Sequence, residues 1–170
     1  MPALPKVARR APATRPSSAV DRLLRARAGT CVCGNLRMAA RLMTLHFDAA
    51  LRPAGIEANQ MAMLWVIHVG GALSSSAVAH GVGIDQSTAS RNLTVLEARG
   101  LVRMAPSPDD RRQRMVSLTA EGKRALLRAY PLWEQAQAEV QAMHADLADV
   151  GALGRTLRRV TRRMQAAGRP

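Results

Sequence analysis

Four aromatic side chains in 170 residues, two Trp, one Tyr and one Phe, are too few to promise a cavity walled by rings. A site that stacks an aromatic ligand on several rings is therefore not expected. Two cysteines, Cys31 and Cys33, exclude the disulfide framework of a small secreted domain. Long apolar runs are missing too. The run from Met61 to Ile67 stops at His68, far short of the roughly 20 residues that a membrane span needs. Residues 1–27 hold no apolar run of the about seven or more residues that a secretory signal requires, so the expected location is the cytoplasm, with no membrane partner. Enzyme signatures are also lacking: there is no glycine-rich phosphate loop, nucleophile elbow, histidine pair at metal spacing or triad. No catalysis and no cofactor are expected. Thiol redox chemistry has a foothold only in the Cys31/Cys33 pair, and it ordinarily wants CxxC beside a strand.

Positive charge is what the chain has in excess. The net charge is +13, and only Lys6 and Lys123 are lysines. Its distribution matters more than its size. Residues 1–27 carry seven cations and one acid, residues 150–170 carry six cations and no acid, and between Glu57 and Thr119 six arginines face five acids. The tails can attract phosphate without regard to sequence, whereas any reading of bases must come from where individual arginines sit. With 48% hydrophobic residues the middle of the chain has enough apolar material for one globular core. Residues 1–28, with four prolines among small residues and arginines, read as a disordered basic arm.

The most telling stretch runs from Ser74 to Thr119, where helix, turn, helix and basic hairpin follow one another with no spare residues. Ser74 or Ser75 is placed to cap a short helix through Ala77, Val78 and Ala79, since a side-chain oxygen there accepts from unpaired first-turn amides. Gly81 and Gly83 should end it, with Gly81-Val82-Gly83-Ile84 as the turn and Asp85 as the next cap. The second helix spans about Gln86 to Arg99. Ala89, Leu93 and Leu96 recur at three- or four-residue spacing as its inward face. Gln86, Ser87, Ser90, Arg91 and Thr94 fall largely opposite, a short-chained hydrogen-bonding surface suited to a major groove. Gly100 closes the helix. Leu101 to Met104 and Met115 to Leu118 read as short strands around a turn with Pro106, Pro108 and Asp109, and Arg111, Arg112 and Arg114 sit at the hairpin tip.

Gly100-Leu101-Val102-Arg103, the Pro-rich turn, Asp110-Arg111-Arg112 and then Val116 to Gly122 (Val-Ser-Leu-Thr-Ala-Glu-Gly) resemble the MarR family of bacterial transcription regulators, over roughly residues 30–166. The resemblance implies a mainly α winged helix-turn-helix with flanking dimerisation helices and a two-stranded β wing. It further implies a homodimer on double-stranded DNA, with recognition helices in successive major grooves of a pseudo-palindromic site and a wing arginine in a minor groove. By position that arginine is Arg112, oriented by Asp110. The expected DNA-facing set is Ser75, Gln86, Ser87, Thr88, Ser90, Arg91, Asp110, Arg111, Arg112 and Arg114. The corresponding division is residues 57–118 as reader, and 29–56 with 119–170 as dimerisation helices. The function expected is sequence-specific repression; a sequence-neutral architectural protein and, further off, a thiol redox enzyme are the alternatives.

The flanking helices carry more apolar surface than a 45-residue reader can cover. From about Leu36 to Leu51 the stripe is Leu36, Ala40, Met43, Phe47 and Ala50, ended by Pro53 and Gly55. From about Glu57 to Val69, Met61, Leu64, Trp65 and His68 share a face. After Thr119 a long helix is marked by Leu126, Tyr130, Trp133, Val140 and Leu147, with Pro131 inside it, and the last helix repeats Leu153, Leu157, Val160 and Met164. Two controls of DNA binding are open. A small effector would sit in a crevice near Arg41, His46, Trp65 and His68. Alternatively Cys31 and Cys33 would sense oxidants or a soft metal, with Cys33 joining the buried stripe if residues 31–36 are helical and Cys31 pointing away. The CxC spacing does not match the CxxC of ordinary zinc sites.

Overall fold

The computed structural model describes residues 18–27, 29–107, 113–143 and 150–167. The helices are α1 (Ala19–Arg27), α2 (Val32–Leu51), α3 (Ala58–Gly70), α4 (Ser75–Val82), α5 (Gln86–Ala98), α6 (Ala120–Met143) and α7 (Val150–Ala166). The strands are β1 (Leu73–Ser74), β2 (Val102–Pro106) and β3 (Arg114–Leu118). The chain divides into two compact units, residues 1–42 and 43–170, with the boundary inside α2.

In the first unit α1 occupies part of the stretch expected to be an irregular arm. Ser18 Oγ accepts from the Asp21 amide, and Asp21 pairs with Arg25 one turn on at 3.2 Å, local contacts sufficient to start a helix although no α1 side chain is buried. The other arm residues, 1–17 and 28, lie outside those described. In α2 the helix begins four residues before Leu36, and every residue from 32 to 42 is exposed within this chain. Cys33 therefore does not join a buried stripe here.

The second unit holds the core. Its centre is Leu51, Met63, Leu64, Ile67, Val78, Leu93, Leu96, Val102 and Val116, all essentially without exposed surface. Helix α3 is apolar nearly all round and is the element the others pack on, so its expected single face divides: Met61 and Leu64 are buried, Trp65 and His68 are not. Gly81 does not end α4. The helix runs on to Val82, and Gly81 sits where a Cβ would come within 2.8 Å of Val66 on α3; the close approach of two helices, not a turn, needs its small size. Gly83 supplies the left-handed cap with φ 77°.

The expected hairpin forms, and a third strand joins it. The order is β1-β3-β2, all antiparallel, with Leu73 opposite Val116 and Met104 opposite Val116 from the other side. Thr119 and Gly122 fasten this sheet to α6. The Thr119 hydroxyl donates to the carbonyls of Gly100 (2.7 Å) and Leu101 (3.1 Å) and accepts from the Gly122 amide (3.0 Å). A Cβ on Gly122 would lie 2.0 Å from the Leu101 carbonyl oxygen, so only glycine lets α6 start against β2. Pro131 is carried inside α6. Leu147 lies outside the described residues. Among those described, no helix is long and apolar enough to cross a membrane.

Candidate nucleic-acid interface and effector pocket

Helix α5 is built as a polar face on a closed back. Ala89, Leu93 and Leu96 are fully buried, while Gln86, Ser87, Ser90, Arg91 and Thr94 are exposed and Thr88 and Ser75 are half-buried. Its first turn is held by one carboxylate. Asp85 Oδ1 accepts from the Ser87 hydroxyl at 2.6 Å and the Thr88 amide at 2.8 Å, and Oδ2 accepts from the Thr88 hydroxyl at 2.7 Å. The Ser87 hydroxyl, then the Thr88 amide and hydroxyl, hold the Asp85 carboxyl well below the usual carboxylate range. Because Asp85 takes both hydroxyl protons, Ser87 and Thr88 present acceptor lone pairs outward, and Thr88 already accepts from Arg91 Nη2 at 3.2 Å. The long donors at the surface are thus Gln86 and Arg91, the types that pair bidentately with adenine and guanine edges.

The wing is only partly in view. Asp110, Arg111 and Arg112 lie outside the described residues, as do Pro108 and Asp109. Arg114 is described, and it does not stand at a free tip: Nη2 donates to the Met104 carbonyl at 3.3 Å and lies 4.0 Å from Glu97 Oε1. Glu97 also accepts from the Met104 amide at 2.9 Å, so Arg114 and Glu97 bind the wing to α5. Arg103, exposed on β2 opposite Ser117, is a cation outside the expected DNA-facing set, although strand alternation after buried Val102 marks it as outward. Arg99 was missed as well. It donates to Gln60 Oε1 at 3.1 Å and to the Gly55 carbonyl at 2.5 Å, pinning the end of α5 to the start of α3.

A cavity of about 430 Å³ opens between α2, α3 and α6, walled by Phe47, Leu51, Met61, Trp65, Trp133 and Gln137 among others. Phe47, Trp65 and Trp133 line it, and Tyr130 joins the two Trp rings beside it, so the few rings of the chain gather at one place, which their number alone did not suggest. Trp65 and Trp133 have centroids 5.6 Å apart, and Tyr130 lies 6.0 and 5.8 Å from them. The reason is spacing across elements: Tyr130 and Trp133 are three apart on α6, which packs on α3 at Trp65. The Tyr130 hydroxyl donates to Glu134 at 3.2 Å, and the charge of Glu134 pushes the Tyr130 pKa up.

Of the residues expected at an effector site, Trp65 alone lines this cavity. His46 turns aside, with Nε2 3.4 Å from the Ala136 carbonyl and 3.5 Å from Glu139 on α6. His68 borders a separate depression of about 310 Å³ with Ser117 and Lys123. Arg41, Cys31 and Cys33 belong to the first unit and are exposed there. Cys31 precedes α2, where its Sγ accepts from the Gly34 amide at 3.4 Å. Among the described residues no group of three or more His, Cys, Asp or Glu is placed to hold a metal ion.

Comparison with known proteins agrees with this architecture. Residues 54–113 match the model of the MarR family. The transcriptional regulator MosR of Mycobacterium tuberculosis, solved in complex with DNA, is 35% identical, with a TM-score of 0.71 over 81% of this chain and 98% of that one. BpsR of Bordetella bronchiseptica, whose DNA binding is regulated by 6-hydroxynicotinic acid, is 25% identical, with a TM-score of 0.65 over 79% of this chain and 93% of that one. The HTH-type transcriptional regulator YwaE of Bacillus subtilis is 30% identical over 106 residues, and the match spans 62% of each chain.

Proposed function

The chain belongs to the MarR family of transcription regulators, and from that premise we propose that it is a cytoplasmic, homodimeric, sequence-specific repressor released by a small planar ligand. The observation that carries the DNA half is α5 itself. Gln86, Ser87, Thr88, Ser90 and Arg91 form a hydrogen-bonding surface on a helix whose other side is sealed in the core and whose start is locked by Asp85, so the reading face is held rigid. A merely architectural protein needs cations there, not an amide and hydroxyls. We assign Ser75 at the start of α4 to a phosphate and Arg112, with Asp110 as its expected orienting partner and Arg111 next to it in the chain, to the minor groove; Arg114 ties the wing to α5. Residues 57–118 read, and the segments 29–56 and 119–170 dimerise.

Release is assigned to the cavity at Phe47, Trp65 and Trp133. Its walls are the rings of Phe47, Trp65 and Trp133 and aliphatic side chains, with Gln137 as a polar contact, which fits a flat aromatic with one polar substituent. The 6-hydroxynicotinic acid named for BpsR is such a compound. Arg99 ties the cavity wall to the recognition helix: Leu51 and Met61 line the cavity, and Gln60, next to Met61 in the chain, accepts from Arg99 at the end of α5. A second release reading rests on the exposure of both thiols, which leaves Cys31 and Cys33 open to oxidants. Cys31→Ser and Cys33→Ser variants that keep a full peroxide response return the switch to the cavity.

The direct test selects binding sites from random duplexes. The expected site is two-fold symmetric with half-sites about 34 Å apart, and Arg91→Ala and Arg112→Ala should each weaken it by about 1–3 kcal/mol in gel shifts at fixed salt. Equal binding of selected and scrambled duplexes would leave the architectural alternative.

A further inference from the structure

Helix α7 carries Arg155, Arg158, Arg159, Arg162 and Arg163 and no acid. At about 100° per residue Leu153, Leu157, Val160 and Met164 make one stripe, and Arg155, Arg158, Arg159 and Arg162 fall on the opposite side. The apolar stripe is the side a packing partner would cover, and the arginines stand opposite it. A solvated face requires polarity, not four guanidiniums of one sign within about 10 Å of helix, where like charges one turn apart repel.

Two further observations say where that charge is placed. The four arginines border a single shallow depression of about 360 Å³ together with Thr156, so they form one continuous surface. On its other side α7 shares a crevice with the reader, in which Val160 and Met164 face Gly83, Ile84 and Asp85, the turn that starts α5. The row thus rides on the element beside the entry of the recognition helix.

We propose that the arginine face of α7 is a second DNA surface that grips backbone phosphates next to the groove read by α5. The proposal rests on the DNA-binding reading given above. Duplex DNA offers one negative charge per about 1.7 Å of axis. Guanidinium forks match phosphate oxygens two bonds at a time and stay charged at every physiological pH. Such contacts carry no base information, so the row adds affinity and salt sensitivity without altering which sequence is preferred. An anionic membrane is the other polyanion that a basic amphipathic helix suits; it would have to take up the apolar stripe, whose Val160 and Met164 border the crevice at the start of α5, and vesicle capture separates the two.

The experiment uses the full chain, a duplex selected by the wild-type protein and its scrambled counterpart, both long enough to extend beyond the half-sites. A triple variant, Arg158→Gln with Arg159→Gln and Arg162→Gln, is compared with the matching triple Lys variant. Expected is a slope of log affinity against log salt flatter by about 2–3 per protomer, or about 5 for a dimer on both half-sites, at roughly 0.9 per phosphate, with the selected-to-scrambled ratio unchanged and most of the slope restored by lysine. An unchanged slope in the glutamine variant, with helix content and oligomer size intact, overturns the proposal. So does capture of wild type but not variant by phosphatidylglycerol vesicles with no change on DNA. Failure of the wild-type protein to discriminate the two duplexes would instead sink the reading of α5.

Discussion

Helices α5 and α7 are written in the same amphipathic pattern and end in opposite circumstances. In α5 the apolar row Ala89, Leu93, Leu96 is fully buried against the rest of its own chain. In α7 the row Leu153, Leu157, Val160, Met164 remains 38–51% exposed. A helix pattern states that a stripe must be covered and does not say by what. The reader covers its stripes within one chain. The row of α7, and Met38, Leu42 and Leu45 on one side of α2, stay exposed in the single chain, and under the proposed homodimer a symmetric second copy would be the simplest way to cover them.

The largest effect should come from charging the open stripe. Leu153→Arg with Leu157→Arg is expected to convert a dimer to a monomer in sedimentation while the reader keeps its fold. Affinity for a two-half-site duplex should then fall about 10²- to 10⁴-fold, the advantage of joining two binding modules. A variant that stays dimeric would show that α7 is covered by something other than its counterpart. A smaller loss, and of stability rather than assembly, is expected from the closed stripe. Leu93→Ala should cost about 2–5 kcal/mol in denaturant unfolding, the price of an unfilled core position. The same truncation at exposed Leu127 on α6 should stay within about 0.5 kcal/mol. Equal costs at the two sites would mean that the burial contrast has no energetic weight.

Local chemistry was legible in the sequence, and contacts between distant segments were not. Ser74 and Asp85 were readable as caps because a capping side chain acts on amides two or three residues away. The Ala89, Leu93, Leu96 face needed only helical periodicity. The two-residue strand β1 carries too little pattern to be seen, and it exists only because β3 lies alongside. The aromatic cavity was hidden for a related reason: Trp65 and Trp133 are separated by most of the reader, and composition counts rings without locating them. Arg99 looked like a helix-ending cation, and its tie to Gln60 and Gly55 spans about forty residues of chain. Arg114 was read as a hairpin tip because a sequence does not show that Glu97 waits one strand away.

The finest difference lies at the start of α5, where a single carboxylate orders the turn that carries Ser87 and Thr88. Its hydrogen bonds favour the ionised form, so the folded-state pKa of Asp85 is below the unfolded value near about 3.9. The sign follows. Above the unfolded pKa the cap contributes in full; as pH falls through that value toward the lower folded one the unfolded chain takes up the proton first, and the contribution drains away. Asp85→Asn keeps a capping oxygen and an ordinary N-cap residue but removes this titration. Thermal unfolding of the two proteins should therefore differ by a constant amount from pH 7 down to about 5, and the curves should draw together below about pH 4 as the wild-type advantage is lost. Other carboxylates, Glu121 with its Arg128 and Arg124 partners among them, titrate alike in both proteins and cancel in the difference. A difference that stays flat into acid would mean that Asp85 caps α5 no better charged than neutral, and that the rigidity of the reading face comes from the buried side of the helix alone.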